Sequence, residues 1–161
     1  METMAALNGR AAEIMVGYPV NGCTDVTGFG LLGHALEIAS GSKVTIILFT
    51  ENVPQLPEVL DSVQMGLVPA GSYSNRNFCT HQIRQSVTVD PMLLNILANA
   101  QTSGELLISL PEDKASALFD DLKAGGAPHA ALIGLASTPG AGLPEIRQAS
   151  KGLNDKRMSR Q

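Results

Sequence analysis

Tryptophan is absent from the 161 residues, and all aromatic residues together make up 4%. The core must therefore be built mainly from Leu, Ile, Val, Ala and Met. Cysteine is scarce as well: Cys23 and Cys79 are the only two. They lie far apart, which excludes a disulfide framework or a zinc knuckle, and a reducing, cytoplasmic setting is expected. Charged residues are 16% of the chain and the net charge is -4. That balance excludes binding nucleic acid through a general positive surface. No apolar run approaches the ~20 residues of a membrane-spanning helix. The first residues lack the basic-then-apolar order of a secretory signal. Neither a nucleic-acid nor a membrane partner is expected.

What is present is 44% hydrophobic residue content in a chain of one-domain size. Met4, Leu7, Ala11, Ile14 and Met15 recur at helical spacing and predict a helix over residues 2–16. Residues 18–24 read as a connector, with Pro19 and Gly22. A second helix is expected over residues 28–39, with Thr27 as N-cap and Gly41 as its end. Residues 43–49 form a β-branched, apolar strand that reads as buried on nearly both faces. Short helical pieces follow near residues 54–65, a loop over 66–80, and a helix over 91–100. A strand over 105–110 leads into a helix opened by Pro111 and ended by Gly125 and Gly126. Strands are expected at residues 130–136 and 144–147, and residues 149–161 read as a polar tail that frays. The domain proper is thus residues 1–148, with about four strands layered under helices.

Three constellations carry chemistry. The first is Cys23-Thr24-Asp25-Val26-Thr27-Gly28-Phe29-Gly30-Leu31-Leu32-Gly33-His34. Asp25 is either a ligand for a hard divalent cation or a turn-capping carboxylate. The glycines at 28, 30 and 33 either let backbone N–H groups approach an anion at a helix N-terminus or simply allow tight helix packing. The second is Pro69-Ala70-Gly71-Ser72-Tyr73-Ser74-Asn75-Arg76-Asn77-Phe78. It reads as a long loop rich in hydrogen-bonding groups, in which Arg76 can clamp a phosphate, or as an ordinary surface crossover. The third, Gln101-Thr102-Ser103-Gly104-Glu105, is a turn between helix and strand. Cys23 has no base supplied for it and reads as a small buried thiol. His34 reads as a packed or half-exposed helix residue, and His81 and His129 have no ligand-like spacing.

These three segments together resemble the selenophosphate synthetase (selenide, water dikinase) family of the wider aminoimidazole-ribotide-synthetase-like superfamily. The resemblance is carried by Thr24 to His34, by Val68-Pro69-Ala70-Gly71 with Asn75-Arg76-Asn77-Phe78, and by Gln101-Thr102-Ser103-Gly104. It extends over residues 4–147 and only over the C-terminal half of such an enzyme. The family makes selenophosphate from selenide, ATP and water, releasing AMP and phosphate. The implied fold is an α/β two-layer sandwich, a small mixed sheet covered by helices. The implied roles are Asp25 as a Mg²⁺ ligand, and Thr27, Gly28, Ser72, Asn75 and Asn77 lining the nucleotide–phosphate cleft.

The same resemblance implies the N-terminal ATP-binding half of the enzyme as partner, with its catalytic Cys or selenocysteine and most metal-binding aspartates, and a homodimer in the full-length enzyme. The chain alone is then expected to be inactive. Glu105 departs from the family, which carries a second glycine there. Two alternatives stand beside this reading: a non-catalytic binding or dimerisation module, and a domain of another member of the superfamily. The Phe29-Gly30-Leu31-Leu32-Gly33-His34 string argues against the latter.

Overall fold

The computed structural model describes residues 7–86, 89–101, 105–137 and 142–148. Its elements run α1 (Gly9–Met15), β1 (Gly22–Asp25), α2 (Gly30–Ser42), β2 (Thr45–Phe49), a 3₁₀ turn (Thr50–Asn52), α3 (Val59–Gln64), α4 (Ala70–Thr80), β3 (Arg84–Gln85), α5 (Pro91–Leu97), β4 (Leu106–Ser109), α6 (Glu112–Ala124), β5 (Gly134–Ser137) and β6 (Pro144–Arg147). Four strands form one mixed sheet in the order β3-β6-β2-β5. The expected α/β layering with a small mixed sheet is therefore the fold. β2 is central: it pairs parallel with β6, Ile47 opposite Glu145, and antiparallel with β5, Ile47 opposite Leu135. All five residues of β2 are buried, as its continuous apolar run predicts.

The core lies between the sheet and the helices α2, α4 and α5. Leu32, Leu36 and Ala39 of α2 meet Ile46 and Leu48 of β2 and Ile146 of β6. Cys79 of α4 and Leu94 and Leu97 of α5 close it from the side. Full burial of each Leu or Ile is worth about 1.5–3 kcal/mol, so this cluster fixes the position of α2 on the sheet. Separately, β1 and β4 form an antiparallel two-stranded ribbon, Cys23 opposite Ile108 and Asp25 opposite Leu106. Asp25 and the start of α2 thus follow directly from the end of a paired strand.

Several expectations need correction. β1 lies where a connector is expected; its four residues hold as a strand through their register with β4 rather than through their own propensity. The 105–110 strand exists as β4 but pairs with β1, outside the four-stranded sheet. β3, two residues long, carries no sequence signal. Thr27 is not the N-cap of α2: Phe29 holds that position and no side chain caps the helix. Helix α2 runs through Gly41 and stops at Lys43, which takes the left-handed conformation at φ 55°. The largest correction is residues 70–80, which form the helix α4 and not a loop. Its Gly, Ser and Asn residues favour non-helical conformations. The inward positions 72, 75, 76 and 79 recover that cost through tertiary contacts described below. Helix α5 follows its signals: Asp90 Oδ1 accepts a hydrogen bond from the Met92 amide at 2.8 Å, and Pro91 opens the first turn. The expected first turn of the N-terminal helix, the Thr102-Ser103-Gly104 turn and the 149–161 tail lie outside the described residues.

Candidate functional site

The end of β1, the turn into α2, and the facing ends of α4 and α5 meet at one junction. Gly30 makes the closest approach. Its φ is +68°, and a Cβ there would lie 2.7 Å from the Ala98 carbonyl carbon and the Asn99 oxygen. Only glycine meets both demands. The turn ahead of it is pinned through its backbone. The Thr27 carbonyl accepts from the Gly30 amide at 3.0 Å and from the Gln101 amide at 3.0 Å. The Val26 amide donates to the Glu105 carbonyl at 2.8 Å. The Gly30 N–H is thereby committed within the protein, which removes it from the N–H groups that could face an anion. Gly28 differs: it is exposed, and a Cβ there would meet nothing within 4 Å.

Helix α4 holds this turn in place. Asn75 Nδ2 donates to the Gly28 carbonyl at 2.8 Å and to the Ala98 carbonyl at 3.0 Å. One amide group thus ties the turn before α2 to the end of α5. Ser72, 1% exposed, donates from Oγ to Asn99 Oδ1 at 2.9 Å. Arg76 donates to the buried Asn95 Oδ1 at 3.1 Å, so its guanidinium serves the α4–α5 packing. Asn77 is exposed. Two residues on in an α-helix means about 200° around the axis, so Asn77 lies on the far side of α4 from Asn75. The structure thus brings Asp25, Thr27, Gly28, Ser72 and Asn75 to one junction and leaves Asn77 away from it.

Asp25 is exposed, and its Oδ1 accepts a hydrogen bond from Asn8 Nδ2 at 3.3 Å. Among the described residues no group of three or more His, Cys, Asp or Glu side chains is placed to hold a metal ion. Asp25 fits a magnesium site as one contributing ligand: Mg²⁺ is commonly held by one or two carboxylates, phosphate oxygens and waters. Cys23 lies two residues earlier in β1 and is exposed, whereas Cys79 is the buried cysteine; the expectation of a buried Cys23 is corrected. Partial desolvation, then the Asp25 charge, push the Cys23 thiol up. It stays protonated at neutral pH and offers no soft thiolate beside the carboxylate. Glu105 is exposed and falls opposite Val26, one residue out of phase with Asp25.

Sequence reasoning assigns no role to Asn99 or Ala98, because their part is played through a side-chain acceptor and a backbone carbonyl at a helix end. It also leaves His34 as packing. His34 is 8% exposed, and its Nε2 lies 3.3 Å from Thr27 Oγ1. Helical spacing could not have found this contact, because Thr27 lies in the turn ahead of Phe29, the N-cap, and outside α2.

Residues 1–140 match the family described as AIR synthase related protein, C-terminal domain. The chain belongs to that family. Relatives of this AIR synthase related domain include a selenide, water dikinase of Trichlorobacter lovleyi, 46% identical over 143 residues, 89% of this chain and 40% of that protein. The selenide, water dikinase of Clostridium botulinum is 40% identical over 131 residues, 81% of this chain and 38% of that protein. That of Treponema denticola is 45% identical over 119 residues, 74% and 33% respectively. The chain therefore spans between 33% and 40% of the length of these relatives. The fold is similar to that of the hydrogenase maturation protein HypE, with a TM-score of 0.58 and 24% identity over 91% of this chain and 40% of that one. A structure of HypE in complex with ATP gives a TM-score of 0.56 at 23% identity, over 89% of this chain and 37% of that one. Among the described residues no helix is long and apolar enough to cross a membrane.

Proposed function

We propose that this domain is the C-terminal part of a cytoplasmic selenide, water dikinase, and that it completes a Mg-ATP cleft whose catalytic residues belong to the N-terminal part of the enzyme. The observation that carries this reading is the 40–46% identity to selenide, water dikinases over most of the chain, with the junction above built on the segment that supports the resemblance. The reaction converts selenide, ATP and water to selenophosphate, AMP and phosphate. Bound Mg²⁺ supplies charge neutralisation on the transferring phosphoryl group.

In this reading Asp25, at the end of β1, would be a carboxylate ligand of the metal. The open space at Gly28 lets a phosphate approach the backbone of the turn, and the Thr27 hydroxyl lies beside it. Ser72 and Asn75 work as the frame of the cleft, since their hydrogen-bond donors are spent on Asn99, Gly28 and Ala98. Asn77 falls outside the proposed cleft. Phe29 is 59% and Phe78 61% exposed, and they offer apolar surface at this edge for the N-terminal part to cover. The complete enzyme is a homodimer, and this domain alone makes no selenophosphate.

The test is phosphorus NMR of the complete enzyme with Mg-ATP and selenide, wild type against Asp25→Asn. Loss of a metal contact worth several kcal/mol should lower selenophosphate formation by about 100-fold or more. Near-normal turnover of the variant would overturn the role of Asp25. Turnover by this domain alone would overturn the division of labour, and no turnover by the wild-type complete enzyme would favour a non-catalytic binding module.

A further inference from the structure

We propose that His34 is a positioning residue that fixes the Thr27 hydroxyl toward a phosphate oxygen, an inference that rests on the nucleotide-cleft reading of the turn. An imidazole inside a helix and 8% exposed needs polar partners, because a buried polar group without one costs free energy. His34 Nε2 has Thr27 Oγ1 at 3.3 Å. Its Nδ1 makes no hydrogen bond among the described residues; Glu37 Oε2 stands 3.4 Å away, within ion-pair reach but outside hydrogen-bond geometry. The Thr27 contact is therefore the polar anchor of the ring. The Phe29 ring meets the imidazole edge-on, centroids 6.1 Å apart at 71°, and limits its rotation.

From the side of Thr27 the contact has a second consequence. Its backbone carbonyl is already held by the Gly30 and Gln101 amides. A threonine with a fixed backbone still has more than one accessible χ1 rotamer. The Nε2 contact selects one of them. Thr27 as a residue is exposed while its contact with His34 is part-buried; with Nε2–H as the donor, the selected rotamer keeps the hydroxyl proton free to donate to a phosphate oxygen in one orientation. Such preorganisation removes an ordering cost at the moment of binding.

Side-chain length makes the proposal testable. The amide nitrogen of glutamine lies as many bonds from Cα as Nε2 of histidine, whereas that of asparagine matches Nδ1. In the complete enzyme, Thr27→Val and His34→Asn should each raise the KM for ATP about tenfold, the worth of one net hydrogen bond of roughly 1–1.5 kcal/mol. The double variant should be no worse than either single one. His34→Gln should restore KM to within about threefold of wild type. A role in packing alone predicts lowered thermal stability with KM unmoved, or equal KM effects of Gln and Asn; either result overturns the proposal.

Imidazole ¹⁵N NMR on this chain reads the contact without nucleotide. Thr27→Val must shift the His34 Nε2 resonance and leave those of His81 and His129 in place. If that shift occurs but Asp25→Asn and Thr27→Val both leave the kinetics intact, the nucleotide-cleft reading has failed and the His34–Thr27 contact stands. If the shift is absent, the proposal itself has failed.

Discussion

Replacing Gly30 by alanine should cost this domain a large share of its stability, and the size of the loss follows from two separate demands at that position. The φ of +68° lies in the left-handed region, which an L-residue enters at about 1–2 kcal/mol. The added Cβ would also stand 2.7 Å from the Ala98 carbonyl carbon and the Asn99 oxygen and 2.9 Å from the Ala98 oxygen. These are backbone atoms at the end of α5 and cannot swing aside as a side-chain tip would. Overpacking of this kind costs about 1–3 kcal/mol. The sum, about 2–5 kcal/mol, is a substantial part of the 5–15 kcal/mol typical of a domain.

At this chain length each kcal/mol moves Tm by about 2–4 °C, so a fall of about 10 °C is expected for Gly30→Ala in thermal unfolding followed by circular dichroism. The control is Gly28→Ala. It stands two residues away in the same turn, with nothing within 4 Å of its Cβ position. Its effect on stability should stay within about 0.5 kcal/mol, while the methyl group intrudes where a phosphate is proposed to approach. Equal Tm shifts for the two variants would refute the argument that α2 is seated by the contact of Gly30 with α5.

Other consequences follow from the same geometry. Asn75→Ala leaves the Gly28 and Ala98 carbonyls without their common donor and should destabilise by about 1–3 kcal/mol; a wild-type Tm for the near-isosteric Asn75→Asp, which cannot donate to both carbonyls, would contradict this. Gly134→Ala puts a Cβ 2.0 Å from the Ile47 oxygen, so β5 should detach from β2; faster hydrogen exchange at the Phe49 amide, which donates to the Ile133 carbonyl at 2.8 Å, would report it, and unchanged exchange would count against the pairing. Cys23 should react with iodoacetamide more slowly than a free thiol at neutral pH, because partial desolvation and the Asp25 charge raise its pKa. Asp25→Asn removes the negative charge, favours the thiolate and should speed the reaction; an unchanged rate would dismiss that charge as a cause.

The elements legible in the sequence were those whose signal is local. The apolar run of β2, the Asp90-Pro91 start of α5, and the Pro111 and Gly125 boundaries of α6 each depend on residues within a few positions of one another. Helix α4 was not legible, because its stabilisation is not local. Ser72, Asn75, Arg76 and Cys79 are helical because Asn99, Gly28, Ala98, Asn95 and the core receive them. Read without those partners, the same residues have the composition of a loop. The junction was legible as segments through family resemblance, but its internal division was not. Whether an asparagine faces a ligand or holds a carbonyl depends on helical phase, and phase cannot be assigned to a segment taken for a loop. Asn75 and Asn77 were equivalent in the sequence and lie on different sides of α4 once the helix is known.

That division has a consequence for how the junction responds to change. Asp25, Thr27 and Gly28 are exposed and are carried by a strand end and a turn, elements with little burial of their own. Their positions are set by groups one layer in: Asn75 on the Gly28 carbonyl, Gly30 against Ala98, and Gln101 on the Thr27 carbonyl. Those groups are in turn seated by Cys79, Leu94 and Leu97 in the core shared by α2, α4 and α5. The packing of three helices and the orientation of three exposed residues are therefore one mechanical unit. A cavity made at Leu94 does not reach the turn where a phosphate is proposed to bind, yet relaxation of α5 toward it would move Ala98 and, through the single Asn75 amide, the Gly28 carbonyl. An exposed site built on short elements holds its geometry in this way, by borrowing rigidity from a core that it does not touch.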